Sequence, residues 1–438
     1  MVEHPSRARR RLRRVVALLA VMVPLLSACD VWEQAGRLPD ASRFNPEEVG
    51  ITPSNVASLS AAWSADVTGS FSEPLLSGDR LYTTVVSGGR GSVRAYDVAT
   101  GAVVWEQPVP APATPGTPGP VVKVAGDLWV SYSGAQGSLC SGVLSRLDPA
   151  TGNVLATETT GPAIYGPVVA SGSTAAFVQR GCTLIPDFRP QLVVRDLLDP
   201  AGTWTFLLPD RSQPTPPSIS HDKIYVAADN QLYAFDAAGC GAATCVPLWT
   251  TSLDLDGVEI LSSGERPVVG PDGTVYVGGL THSVETLVEA FDGETGAHLW
   301  HTDRHPGPGP GWQYLALAHD QLYVSDQRQG TPSSAVEVFA AGGCGQPVCA
   351  PAWSAAIDGL PVGGLTIGGD VLYVGLLNST GRLLAFDAHG CGAPTCARIA
   401  DVGFADRQPL RFAVAGGRVA VVAVHSDAAT LRVLVPAA

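Results

Sequence analysis

Three groups of side chains have the types and spacing to do chemistry. His301, Asp303 and His305 fall at alternate positions, and Pro306 favours extension at His305, so an extended segment would place all three on one face. Imidazole, carboxylate and imidazole form a fair ligand set for a divalent metal. His298 has the opposite parity, and a polar loop behind an outer strand explains the same residues, so no metal is assigned. Asp254, Asp256 and Glu259 surround Gly257 and offer oxygen ligands, but the spacing is not that of an EF-hand loop, and a solvated loop is the preferred reading. Asp97, Asp148, Asp236, Asp292 and Asp387 end similar segments. A catalytic acid need occur only once, so their repetition points to turn chemistry. The sequence contains no Gly-x-Ser-x-Gly or phosphate-loop pattern, and no catalytic residue is assigned.

Nine cysteines complete the reactive inventory. Six form Cys-x4-Cys pairs, Cys240/Cys245, Cys344/Cys349 and Cys391/Cys396, each opening Gly-Cys-Gly. A disulfide clamping a long hairpin is the expectation for each, and it suits an exported protein. Zinc would need two pairs to converge on one point. Cys140 and Cys182 are then paired with each other by elimination, leaving Cys29.

Cys29 has its own context. Arg7, Arg9, Arg10, Arg11, Arg13 and Arg14 precede an apolar run at 15–26, too short for the roughly 20 residues that span a bilayer. Leu26-Ser27-Ala28-Cys29 then resembles a bacterial lipobox. That resemblance implies a signal peptide at 1–28, an acylated Cys29, and a chain held by lipid on the extracytoplasmic face of the cell membrane. Residues 29–48 read as a polar tether, and 49–438 as the folded domain. The whole chain carries −13, and the chain beginning at Cys29 carries −18. Such a polyanion repels phosphate backbones, which excludes nucleic acid as a partner.

The elements that position these residues form a repeat. Apolar runs with an aromatic second residue place Tyr82, Trp129, Phe177, Tyr225, Tyr276, Tyr323 and Tyr373, with Ala420 as a weak eighth, at intervals of 47 to 51 residues. Before each comes an apolar segment, often led by proline, and a Gly/Asp turn. After it comes a strand ending in Asp, a Thr-Gly or Cys-Gly turn, and a fourth strand often carrying Trp: Trp105, Trp204, Trp249, Trp300 and Trp353. Four short strands repeated at this period describe a propeller blade. The last unit, at 412–435, lacks its Trp strand, while Trp63 at 58–65 is a Trp strand with no blade before it. Joining them predicts an all-β, eight-bladed β-propeller of four-stranded antiparallel blades, closed by its N- and C-terminal strands. Seven blades is the alternative if the irregular third unit, 175–204, does not form one.

The segments Ala-Tyr-Asp-Val-Ala-Thr-Gly-Ala-Val-Val-Trp at 95–105 and Ala-Phe-Asp-Gly-Glu-Thr-Gly-Ala-His-Leu-Trp at 290–300 resemble the repeat of pyrroloquinoline-quinone-like propellers. One branch of that superfamily holds quinoprotein dehydrogenases. It implies a quinone on calcium, often against a disulfide of adjacent cysteines. This chain has no Cys-Cys pair and no Cys-x-x-Cys-His, so pyrroloquinoline quinone is not expected. The other branch contains lipoproteins such as the propeller subunit of the outer-membrane barrel-assembly machine. That branch implies a non-enzymatic scaffold for a protein or glycan partner. A diverged pyrroloquinoline-quinone-dependent dehydrogenase is the alternative, and a sugar hydrolase would need two carboxylates facing across the funnel.

Overall fold

The fold is described from a computed structural model, covering residues 31–109, 117–136, 139–180, 189–209, 214–254, 265–280, 285–306, 314–326, 334–377, 380–405 and 407–437. It is all-β, and among these residues helix is confined to two 3-10 turns, Val56–Ser58 and Pro200–Gly202. Four-stranded antiparallel meanders occupy 117–161, 163–207, 218–252, 268–302, 315–357 and 360–403. A terminal sheet of eight strands contains Gln408–Ala415, Arg418–His425, Ala428–Val435, Ser60–Phe71, Leu75–Ser77, Arg80–Ser87, Arg90–Asp97 and Val103–Pro108. The long strand Ser60–Phe71 joins its two halves, pairing with Ala428–Val435 through Ser60 to Thr68 and with Arg80–Ser87 through Gly69 to Phe71. The Trp63 strand therefore lies beside the C-terminal segment, as the two incomplete units predict. Neighbouring sheets meet largely through their innermost strands, and Gln408–Ala415 touches both Leu360–Gly368 and Leu75–Ser77. The architecture is that of a propeller.

No four-stranded meander buries both its faces alone, and the aromatic positions of the repeat do the stacking. The second-strand tyrosines are buried, and several send their hydroxyls to the following sheet: Tyr276 donates to Ala341 O (2.7 Å), Tyr323 to Ala388 O (2.7 Å) and Tyr82 to Pro149 O (3.2 Å). The fourth-strand tryptophans dock on the turn glycine of the next meander. A Cβ at Gly101, Gly152, Gly239, Gly296 or Gly343 would sit 2.5 to 2.6 Å from Trp63, Trp105, Trp204, Trp249 or Trp300 respectively. Each of those glycines has positive φ, between 73° and 79°, so glycine meets a steric and a conformational demand together. Val154–Gly161 has no tryptophan, and the meander it faces has the 3-10 turn Pro200–Gly202 in place of Thr-Gly. There Arg195 grips Glu158 with both terminal nitrogens instead.

The recurrent aspartates are turn formers. Asp97, Asp148 and Asp292 each accept hydrogen bonds from the backbone N–H and hydroxyl of the threonine three residues on. Those bonds hold the three carboxyls below their ordinary pKa.

The Cys-x4-Cys pairs Cys240–Cys245, Cys344–Cys349 and Cys391–Cys396 are disulfide-bonded, each with Cα atoms 5.6 Å apart. These bridges do more than clamp their own hairpins. The first cysteine of each pair is exposed, but Cys245, Cys349 and Cys396 are buried against the sheet before them. Cys245 differs most from a surface clamp. Its backbone N–H donates to Thr205 O (3.2 Å), and its side chain packs in one core cluster with Trp204 and Phe235. Val348–Cys349 pairs in parallel with His301 and Thr302, and Thr395–Cys396 with Ser354 and Ala355, while Thr244 bridges Thr205. The physical reason is that the outer strand of the preceding sheet presents unpaired backbone, which these hairpins partly cover. Sequence spacing shows which cysteines bond and not what the hairpin lies against.

The largest departure concerns the segment expected to be a tether. Residues 31–48 pack along the central side of the sheets, making hydrogen bonds to one after another. Leu76 exchanges backbone hydrogen bonds with Trp32, and Lys123 donates to Glu33 O (2.9 Å). The Gln34 amide donates to Ala170 O (3.0 Å). Ile219, Val269, Leu317 and Ile367 donate through their backbone to Pro39, Asp40, Ser42 and Arg43, each at 2.9 Å. The Asn45 amide finally reaches Val414 O at 2.7 Å. The first strand of a meander has a free inner edge, and its N–H and C=O groups need partners once buried. This segment supplies them, and Trp32 and Asn45 are fully buried as a result.

Candidate functional site

Among the described residues, two large concavities lie beside this lacing. One is a central funnel of about 670 Å³, lined by residues that begin the first strands or end the second strands of the meanders. Around it the sheets contribute Glu73, Glu265, Arg266, Tyr314 and Arg411, and the N-terminal segment contributes Arg43. Glu73 is buried and accepts from the Trp32 indole (3.2 Å) and from the Gly36 backbone N–H (2.7 Å). Arg43 pairs with Glu265 at 3.1 Å and approaches Glu73 at 4.0 Å. Arg266 donates to Ala35 O (2.7 Å) and Leu38 O (3.1 Å). Much of the funnel's charge therefore faces the chain's own N-terminal segment.

The electrostatics follow from depth. Burial raises the Glu265 carboxyl, against the pull of Arg43. Burial also works against the Arg43 charge, yet Glu265 and Glu73 keep its pKa above the ordinary value. Arg266 is pushed down to about 10, by burial first and then by the charge of Arg43. Arg411 is accessible through the cavity, but its depth in the protein lowers it too. These three arginines and two carboxylates leave the funnel wall with one net positive charge inside a chain of −13.

The second concavity, of about 870 Å³, lies between the N-terminal segment and the turns joining first to second strands. Leu38, Phe44, Ile51 and Leu317 give it an apolar lining, and His319 and Asp370 stand in its wall. His319, Asp370 and His389 bring one potential ligand atom each to within 4.8 Å of one another.

Of the histidines and aspartate at alternate positions in the sequence, the side chains of His301 and Asp303 are described. His301 Nδ1 donates to Thr302 O at 2.7 Å, and Asp303 accepts from the Arg304 backbone. The backbone of His305 pairs with Thr286, while its side chain lies outside the described residues. Near His301 stands Glu289, buried and pushed up to about 7 by burial, with its Oε1 3.7 Å from His298 Nε2. Asp254 pairs with Arg304, and Asp256 and Glu259 fall outside the described residues. So do Cys29, Cys182 and the side chain of Cys140. The funnel charges escaped sequence reasoning because, apart from the adjacent Glu265 and Arg266, each arginine or glutamate sits alone in its own unit. Their one signal was the interruption of an apolar repeat by Glu73-Pro74 and Glu265-Arg266-Pro267.

Comparison with known proteins agrees with this geometry. The family model described as outer membrane protein assembly factor BamB matches residues 54–239 and 140–390. No curated protein matches significantly. Among solved structures, a europium-containing methanol dehydrogenase superposes with a TM-score of 0.63 at 12% identity, covering 92% of this chain and 91% of its own. The computationally designed Ika8 protein gives 0.56 at 15% identity, covering 86% of this chain and 98% of its own. BamB from Moraxella catarrhalis gives 0.55 at 14% identity, covering 86% of this chain and 97% of its own. At these identities the structures speak to the fold, and the family model speaks to membership: the chain belongs to the BamB family of pyrroloquinoline-quinone-like propellers.

Proposed function

We propose that the chain is a lipid-anchored, extracytoplasmic binding scaffold, a closed eight-bladed propeller that holds a protein or glycan partner. The family membership and the fold support a scaffold role. Eight blades follow if the terminal sheet is counted as two meanders sharing Ser60–Phe71, because the irregular unit at 163–207 has its full four strands.

One observation carries the reading: the N-terminal segment occupies the centre of the disc and engages the inner strands in sequence. A centre laced by its own chain makes a rigid platform, and charges such as Glu73, Arg43 and Arg266 are engaged in holding that lacing. The lacing also orients the disc. Trp32 pairs with Leu76, beside the turn at Gly78 and Asp79. Cys29 is three peptide steps away, and three steps span at most roughly 11 Å. A lipid on Cys29 would therefore hold the disc close to the bilayer by its 78–79 side, leaving the funnel mouth and the loop near Arg90 for a partner.

The experiment is photo-crosslinking in living cells from Arg90 and from Asp79, followed by mass spectrometry. The reading predicts a reproducible protein or glycan adduct from position 90, lipid adducts from position 79, and release of a Cys29→Ala variant from membranes. A quinone absorbance with dye reduction, after adding pyrroloquinoline quinone and calcium to pure protein, would replace this reading with the dehydrogenase.

A further inference from the structure

The repeat contains its own control for an unassigned site. His221 and His319 occupy the same turn in two different meanders, both with left-handed backbone (φ 51° and 52°). Each donates from Nε2 to a carbonyl of the following sheet, His221 to Pro271 O (3.1 Å) and His319 to Gly369 O (2.9 Å). A histidine here thus has a structural use in both places. What differs is the company. Asp370 Oδ1 lies 3.7 Å from His319 Nε2 and 3.0 Å from His389 Nε2, and the two imidazole rings are 4.3 Å apart. His389 immediately precedes the Gly390-Cys391 of its cystine hairpin, where the other two hairpins carry Ala238 and Gly342.

We propose that His319, Asp370 and His389 form a binding site for a borderline divalent transition metal of the zinc type. Zinc bonds of about 2.0–2.1 Å in tetrahedral geometry place ligand atoms about 3.3–3.4 Å apart. The two distances from Asp370, 3.0 and 3.7 Å, bracket that spacing, and all three ligand atoms lie within 4.8 Å of one another, so side-chain rotations that draw the two imidazoles together complete the site. Two imidazoles and one carboxylate select zinc-like ions over calcium or magnesium. Phe44 packs edge-on against the His319 ring at 4.8 Å and restricts its orientation. Asp370 and His389 are half exposed (side chains 55% and 52%), so the ion has an entry path and water fills its remaining position. On binding, His319 gives up its bond to Gly369 and His389 its bond to Asp370, and in each neutral imidazole the proton moves from Nε2 to Nδ1 so that Nε2 can ligate. The bound ion ties the turn of the 315–357 meander to both turns of the next one. This site rests on the described geometry alone and does not depend on the scaffold reading.

The test is zinc titration of the purified full chain by calorimetry at neutral pH after chelation, with His389→Ala, Asp370→Asn and His221→Ala as variants. We expect one site that weakens by at least about tenfold in His389→Ala and Asp370→Asn and is unchanged in His221→Ala. Zinc should also raise the melting temperature of the wild type more than that of His389→Ala. Both substitutions fall on half-exposed side chains, and circular dichroism verifies folding. Unchanged binding in His389→Ala and Asp370→Asn, or no zinc binding in the micromolar range, overturns the site.

Discussion

Replacing Gly296 by alanine tests the Trp–Gly contact that stacks the meanders. Gly296 has φ +73°, and an added Cβ would lie 2.6 Å from Trp249 Cε3 and 2.9 Å from Cδ2. Two costs add. A side chain in the left-handed region costs about 1–2 kcal/mol, and forcing a methyl into an occupied contact costs about 1–3 kcal/mol. Gly78 separates them, because it has φ +62° and nothing within 4 Å of its would-be Cβ. Gly78→Ala should therefore lose only the first, about 1–2 kcal/mol, and Gly296→Ala about 2–5 kcal/mol. Urea unfolding followed by tryptophan fluorescence gives both values. In a Trp249→Ala background the alanine meets open space, so the excess at position 296 should vanish, a coupling of about 1–3 kcal/mol. If Gly296→Ala costs no more than Gly78→Ala, or the excess survives without Trp249, the glycine is there for its backbone alone and the stacking argument fails.

Three other outcomes follow from the same structure. Cys344→Ser/Cys349→Ser opens a short ring, for which chain entropy gives a loss of about 2 kcal/mol in urea unfolding, and hydrogen exchange at His301, whose N–H donates to Pro347 O, should rise. Glu265→Gln leaves the deep-lying Arg43 without its 3.1 Å partner. It should cost roughly 3–5 kcal/mol and expose Arg37 and Arg43 to trypsin, read by the size of the first cleavage product. Glu289, raised to about 7 from an ordinary 4.5, binds more protons folded than unfolded. Its contribution is complete below pH 4.5 and is lost as pH rises through 7. Glu289→Gln keeps an acceptor for the Asp254 N–H (3.0 Å in the wild type). It should flatten stability across that window and gain up to about 3 kcal/mol at pH 8.

Repetition was what the sequence displayed most clearly, and it led to the meanders, the aspartate turns and the meeting of Trp63 with the C-terminal strands. The tryptophan docking was legible in part, because Trp and turn glycine recur in each unit; that they belong to neighbouring units needs the three-dimensional stacking. The cystine hairpins were legible as bonds but not as edge covers, since Cys245 meets Thr205 of another unit 40 residues earlier. The lacing by residues 31–48 was hidden. It is polar, aperiodic and held mostly through backbone atoms, so its side chains carry little record of its successive partners. The funnel charges and the His319–Asp370–His389 cluster were hidden for a related reason. Apart from the adjacent Glu265 and Arg266, their members are 19 to more than 200 residues apart and meet only because successive meanders present equivalent positions side by side. His301, Asp303 and His305 were legible because sequence shows local alternation readily, and His301 donates to a neighbouring carbonyl.

The proposed closure of the disc, on which the rigid-platform account depends, is most directly tested by joining its ends. Thr68 and Ala428 are directly opposite partners in the strands that link the two termini. In Thr68→Cys/Ala428→Cys protein, mild oxidation should give one intramolecular 68–428 disulfide in nearly every molecule, identified by mass spectrometry of unreduced peptides. Cysteines at these positions that stay unlinked, or that link only between molecules, would contradict a ring closed by its own first and last strands.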